Sequence, residues 1–182
     1  MVLIGPAGTG KTTLGREIAG RAQRPFVDLD AAAEEYYAQV GWSIPRLRER
    51  IAAVGRLAAE SEWEGARAHA VARVVADHPD AVIALGAGHT SYTDPVHLAG
   101  VRTVLSHCRH VVRVLPSPDR EFSLTLLRQR CTATKGQSWV IDGHDFLGQW
   151  FDDPGTRQMA TQTIYTENEP PAETAARLIA IA

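Results

Sequence analysis

One stretch constrains this chain more than any other. Gly5-Pro6-Ala7-Gly8-Thr9-Gly10-Lys11-Thr12-Thr13 fits G-x-x-x-x-G-K-[ST], the pattern of a phosphate-cradling loop. Glycines without a Cβ let successive backbone N–H groups turn toward one anion, and the helix that follows adds its positive end. Lys11 brings a point charge to the outer phosphates, and Thr12 offers a hydroxyl to Mg²⁺. The flanks agree. Val2-Leu3-Ile4 reads as a buried strand entering the loop, and Leu14 and Ile18, four apart, mark the apolar face of the helix leaving it. The alternative is a strand-to-helix turn that binds nothing. With strand, loop, Lys-Thr pair and helix in register, a nucleoside triphosphate with Mg²⁺ is the better reading. Gly5, Gly8, Thr9, Gly10, Lys11, Thr12 and Thr13 are its candidate ligands.

Beyond the loop, apolar runs alternate with helical patterns, which predicts an α/β fold around a parallel sheet. The strands expected are Val2–Ile4, Pro25–Asp30, Ala81–Leu85, His110–Leu115 and Ile164-Tyr165. The helices between them cover Ala31–Gln39, a segment capped by Ser43, Leu57 to about Ala76, one opened by Asp94-Pro95 and one begun at Ser117-Pro118-Asp119. A helix near Pro154–Thr161 and a last one from Pro171 to Ile181 complete the chain. Such an order gives a three-layer αβα sandwich, a five-stranded parallel sheet flanked by helices, in which ligands sit at the carboxyl ends of the strands. The loop, the acids Asp28 and Asp30, and the turn Gly86-Ala87-Gly88 all fall at those ends.

The 182 residues suit a single domain with a full core. A net charge of −2 argues against an electrostatic nucleic-acid binder, and no apolar run approaches the ~20 residues that span a bilayer. The chain enters its first strand at once, so a cytoplasmic protein without a signal peptide is expected, with Cys108 and Cys131 as reduced thiols. Lys11 and Lys135 are the only lysines among 19 basic residues.

After Arg130 the regular pattern gives way. Residues 131–150 are rich in Thr, Gly, Gln and Asp, yet they carry Trp139, Phe146 and Trp150, which a disordered linker would lack. A mobile lid closing over the site is expected there.

Taken in this order, the residues resemble the shikimate kinase family of small P-loop kinases over nearly the whole chain. The likeness rests on the loop through Gly15, Phe26-Val27-Asp28-Leu29-Asp30, Gly41-x-Ser43-Ile44, Val82 to Gly88 and Val114-Leu115-Pro116-Ser117-Pro118. It extends to Thr166–Pro171, which matches the family's adenine-edge loop. The resemblance implies ATP-dependent transfer to a substrate hydroxyl. By it, Asp28 helps hold Mg²⁺ and Asp30 orients or deprotonates the acceptor hydroxyl. Gly86, Ala87, Gly88 and His89 approach the substrate, and Asn168 and Pro171 flank the adenine. Arg128 and Arg130, or Lys135, reach the triphosphate. Each has a plainer reading: Asp28 as a helix N-cap, the arginines as charges at a helix end, His89 as a hydrogen-bonded loop histidine.

The departures are as informative. Shikimate kinases carry aromatic-Arg-x-x-Glu before the third strand, and its arginine grips the substrate carboxylate. Here the stretch is Trp63-Glu64-Gly65-Ala66-Arg67, with the charges reversed. The second substrate arginine is replaced by the neighbourhood Asp152-Asp153-Pro154-Gly155-Thr156, with Arg157 later. The Arg-Pro-Leu-Leu lid motif is replaced by Thr132-Ala133-Thr134-Lys135-Gly136. A glutamate where a bidentate arginine should stand repels a carboxylate. The expectation is an ATP- and Mg²⁺-dependent kinase of a small hydroxylated acceptor other than shikimate, with Glu64 on the acceptor side. A neutral polyol, a sugar, a nucleoside or an amino-bearing compound would suit it. Arg46, Arg48 and Arg56 remain available to an anionic acceptor. A nucleotide switch and a true shikimate kinase are the rivals, and a monomer or homodimer is expected.

Overall fold

The computed structural model describes residues 1–167 and 169–180. Five strands form one parallel sheet: β1 (Val2–Ile4), β2 (Phe26–Asp28), β3 (Val82–Ala84), β4 (Val111–Leu115) and a last strand, β7 (Gln162–Tyr165). Their spatial order is β2-β3-β1-β4-β7. β1 lies at the centre, so its carboxyl end, and the loop it feeds, open between β3 and β4.

Strand alternation builds two cores. Val2 and Ile4 point to one face, where α2 (Leu29–Ala38), α3 (Ile44–Val54), α4 (Arg56–Asp77) and α5 (Pro95–Ser106) supply the buried partners. Leu3, Val112 and Val114 point to the other, covered by α1 (Lys11–Ala22) and α9 (Pro171–Ala180), which pack on each other. Ser43, Asp94 and Asp119 each cap a helix as expected, accepting from the N–H groups of Arg46, Val96 and Phe122.

Two expectations need correction. The second strand ends at Asp28, and Leu29 and Asp30 already belong to α2. The Asp28 carboxylate accepts from the Asp30 N–H at 3.2 Å, which starts the helix. Residues 131–150 are also more regular than expected. α6 (Arg120–Lys135) runs on to a left-handed Gly136, and a hairpin of β5 (Val140–Ile141) and β6 (His144–Asp145) follows. Then comes α7 (Phe146–Asp152), and α8 (Pro154–Met159) leads back to the sheet. The hairpin turns at Asp142-Gly143, both with positive φ, the geometry of a tight two-residue turn. This unit has its own apolar centre, with Leu127, Cys131, Phe146, Leu147 and Trp150 packed over Ala7 of the loop. Among the described residues no helix is long and apolar enough to cross a membrane, and no disulfide joins Cys108 and Cys131.

Candidate active site

The loop between β1 and α1 is held from both sides. Gly5 lies against β4, where a Cβ would stand 2.6 Å from the Val114 carbonyl oxygen. Gly10 takes a left-handed φ of 88° to start α1. Thr9 donates to the Pro6 carbonyl, and Lys11 Nζ donates to the carbonyls of Gly5 at 2.7 Å and Pro6 at 2.8 Å. The ammonium is thus pinned across the loop at the N-terminus of α1, the positive end of that helix.

Beside it, Thr12 Oγ1 donates to Asp28 Oδ2 at 2.9 Å. A hydroxyl and a carboxylate side by side at the edge of a phosphate loop are hard oxygen donors suited to Mg²⁺, which binds few protein groups and completes its shell with phosphate and water. No group of three or more His, Cys, Asp or Glu side chains able to hold a metal ion exists among the described residues, and a magnesium site of this kind requires none. Asp28 is therefore both N-cap and candidate metal ligand, the two readings that the sequence leaves open.

A cavity of about 580 Å³ extends from the loop toward α4 and the turn after β3, and it brings most of the expected residues together. Gly8, Gly10, Lys11, Thr12, Thr13, Asp28, Asp30, Ala87, Gly88, His89 and Arg130 line it. A smaller recess of about 260 Å³ adjoins the loop, with Thr9, Arg130, Glu169 and Pro171 on its walls. Pro171 thus lines a recess shared with the phosphate loop. Asn168 and the side chain of Lys135 lie outside the described part of the structure.

Gly86 stands behind the cavity wall. A Cβ there would lie 1.9 Å from Asp30 Oδ1 and 2.6 Å from His89 Nδ1, so only glycine lets those two groups meet. His89 is buried, and burial drives its pKa down to about 4, with Arg67 and Lys11 opposing the proton and Asp30 favouring it.

Glu64 and Arg128 are not where the sequence led one to expect them. Glu64 is turned away from the cavity: its carboxylate accepts from Thr93 N–H (2.7 Å), Thr93 Oγ1 (2.8 Å) and Asp94 N–H (2.9 Å), tying α4 to the start of α5. Arg128 is bound at 2.6 Å to Asp145, which caps α7, and lines neither cavity. Arg130, two residues on, lines both.

In place of Glu64, the cavity receives Arg56, Glu60, Trp63 and Arg67. Arg67 is buried between the rings of Trp63 and Tyr92, each 5.4 Å from its guanidinium carbon, and donates to the carbonyls of Gly88 and Glu60. Gly88 has no side chain to obstruct it; a Cβ would lie 2.5 Å from Nη1. Arg56 pairs with Glu60 and lies over Trp139 and Phe146 of the hairpin unit. Glu60 sits between both arginines, its other oxygen 3.7 Å from Arg67. Arg46 and Arg48 stay outside, Arg46 stacked on Trp42. Glu60 escaped notice in the sequence, although it lies three residues before Trp63 and seven before Arg67, a spacing that sets all three on one helical face.

The family model of shikimate kinase matches residues 7–181. The chain belongs to the shikimate kinase family. A shikimate kinase of Bradyrhizobium diazoefficiens is 36% identical over 88 residues, which is 48% of this chain and 37% of the relative. One of Syntrophus aciditrophicus is 43% identical over 60 residues, 29% of this chain and 31% of the relative. These matches span about a third of the length of those curated relatives. Among solved structures, the shikimate kinase of Acinetobacter baumannii in complex with shikimate is 25% identical with a TM-score of 0.68, covering 99% of this chain and 90% of that one. The shikimate kinase of Bacteroides thetaiotaomicron shares the fold at 20% identity, with a TM-score of 0.65 and coverage of 99% and 96%. Of the stretch Trp63-Glu64-Gly65-Ala66-Arg67, it is Trp63 and Arg67, not Glu64, that line the cavity.

Proposed function

We propose that the chain is an ATP- and Mg²⁺-dependent phosphotransferase acting on a hydroxyl of a small polar acceptor other than shikimate. One observation carries this reading: the loop with Lys11, the Thr12–Asp28 oxygen pair and the Asp30 carboxylate share a single cavity. Phosphoryl transfer asks for little more than neutralised phosphate charge and a carboxylate near the nucleophile. Lys11 and the loop amides hold the phosphates, Thr12 and Asp28 hold Mg²⁺, and Arg130 faces the transferring group from α6. Asp30 receives or orients the acceptor hydroxyl. Trp139, Trp150 and Arg56 cover the acceptor end and exclude water, which would otherwise take the phosphoryl group.

The altered acceptor is supported by how the arginines are occupied. Recognition of a carboxylate is strongest when a guanidinium offers two parallel N–H groups. Here Arg67 directs its terminal nitrogens to two carbonyls, and Glu60 already sits against both arginines. A neutral polyhydroxylated ring keeps that arrangement intact and finds indole surfaces at Trp63, Trp139 and Trp150. The charge reversal at position 64 does not count toward this preference, since Glu64 faces Thr93 and Asp94.

A second reading, a true shikimate kinase, is favoured by the presence of Arg56 and Arg67 in the same cavity. ADP release at saturating Mg·ATP, with shikimate set against myo-inositol, aminocyclitols, sugars and nucleosides, separates the two. Turnover with a neutral acceptor and none with shikimate is expected. Saturable turnover with shikimate, and with none of the others, would overturn the altered acceptor and leave the phosphotransferase reading in place.

A further inference from the structure

Tyr37, from the last turn of α2, is buried and lies with its hydroxyl 2.8 Å from His89 Nε2. Burial raises the Tyr37 pKa, so the phenol keeps its proton and has one to give. The other ring nitrogen, Nδ1, is faced by the Asp30 carboxylate, which only accepts, with Oδ1 at 3.9 Å. A proton on Nδ1 suits that carboxylate and leaves Nε2 to accept from Tyr37. A proton on Nε2 would set a bare lone pair against a carboxylate.

We propose that His89 is a positioning residue for Asp30: Tyr37 holds it in the neutral form with the proton on Nδ1, and that N–H engages Asp30 Oδ1, leaving Oδ2 to face the acceptor hydroxyl. Three observations converge on this. Nδ1 is buried and makes no hydrogen bond among the described residues, so its donor is uncommitted. Gly86 is the residue that lets Nδ1 and Oδ1 approach at all. The Asp30 side chain is 58% exposed and free to turn, whereas His89 is fixed, so the histidine sets the geometry and the carboxylate adapts. Burial keeps the imidazole neutral at ordinary pH, with Arg67 and Lys11 acting in the same direction, so it orients without exchanging protons.

The inference rests on the reading of Asp30 as the acceptor-side carboxylate, and the test separates the two. Nitrogen-15 NMR of the wild-type chain at pH 7 should show His89 protonated on Nδ1, and Tyr37→Phe should give a mixture of both neutral forms; protonation on Nε2 in the wild type overturns the proposal. In ADP release from Mg·ATP with shikimate and with myo-inositol, or with water as acceptor where neither is turned over, His89→Gln lacks a donor at the Nδ1 position. It should lose about tenfold in kcat with KM for ATP unchanged, as loss of an orienting partner generally does. His89→Asn places an amide N–H near Nδ1 and should stay within about threefold of wild type. Equal rates for the two variants overturn the proposal when Asp30→Asn is itself inactive. If Asp30→Asn keeps full turnover, the role of Asp30 fails and this inference falls with it.

Discussion

Replacing Glu64 by glutamine tests whether that side chain is part of the frame or of the acceptor site. The carboxylate is 3% exposed and accepts three short hydrogen bonds, from Thr93 N–H, Thr93 Oγ1 and Asp94 N–H, with Arg67 Nη2 3.9 Å away. An amide of the same size keeps one oxygen for Thr93 but turns an NH₂ group toward the Asp94 N–H, donor against donor. It also removes one of the two carboxylates near the buried Arg67. A buried donor left unsatisfied costs about 1–3 kcal/mol, and weakening a buried charge pair adds to that, so a loss of roughly 2–4 kcal/mol is expected. In a chain of this length each kcal/mol lowers Tm by about 2–4 °C, giving a drop on the order of 10 °C. Denaturant unfolding and thermal melts measure it, alongside KM for ATP and for whichever acceptor is turned over. Both KM values should stay within about threefold of wild type. An unchanged Tm with an acceptor KM raised about tenfold or more would return Glu64 to the acceptor site.

Arg130→Ala should lower kcat by about 10²-fold, the scale for losing a group that stabilises transferring charge, whereas Arg128→Ala should leave kcat near wild type and lower stability slightly. Steady-state kinetics on the pair decides between them. Thr12→Ala and Asp28→Asn should each raise the Mg²⁺ concentration needed for half-maximal rate, read from a magnesium titration at fixed ATP; Asp28→Asn retains a capping oxygen for α2 and should melt close to wild type. His89 is neutral in the folded chain down to about pH 4, while the unfolded histidine takes a proton near 6.5. Between those values the unfolded state binds more protons, so stability falls as pH is lowered through that window, and His89→Asn should flatten this part of the profile in denaturant titrations.

Much of the frame was legible because its signals are local. The phosphate loop, the apolar run Ala81–Leu85 and the caps Ser43, Asp94 and Asp119 each declare themselves within a few residues, whereas the order of the strands is visible only in the structure. The segment after Arg130 was not legible because strands of two residues are too short for an alternating pattern to register. Asp142-Gly143, a tight-turn pair, was the available clue. Asp30 was placed on a strand because the acid-apolar alternation of Asp28-Leu29-Asp30 imitates one, while the cap made by Asp28 ends it. The acceptor side depended on which way helical side chains point. Glu64 and Arg67 lie three apart, and only packing against Thr93 and Gly88 decides which of them reaches the cavity. Tyr37 and His89 meet through tertiary structure alone, 52 residues apart.

The most direct measurement is phosphorus-31 NMR of the wild-type chain and Asp30→Asn with Mg·ATP and a panel of hydroxylated acceptors, with ATP affinity measured by calorimetry. A new phosphomonoester resonance should appear with ADP in the wild type and be lost in Asp30→Asn at unchanged affinity for Mg·ATP. Inorganic phosphate as the sole product with every acceptor, or no affinity for Mg·ATP, would contradict the phosphotransferase reading.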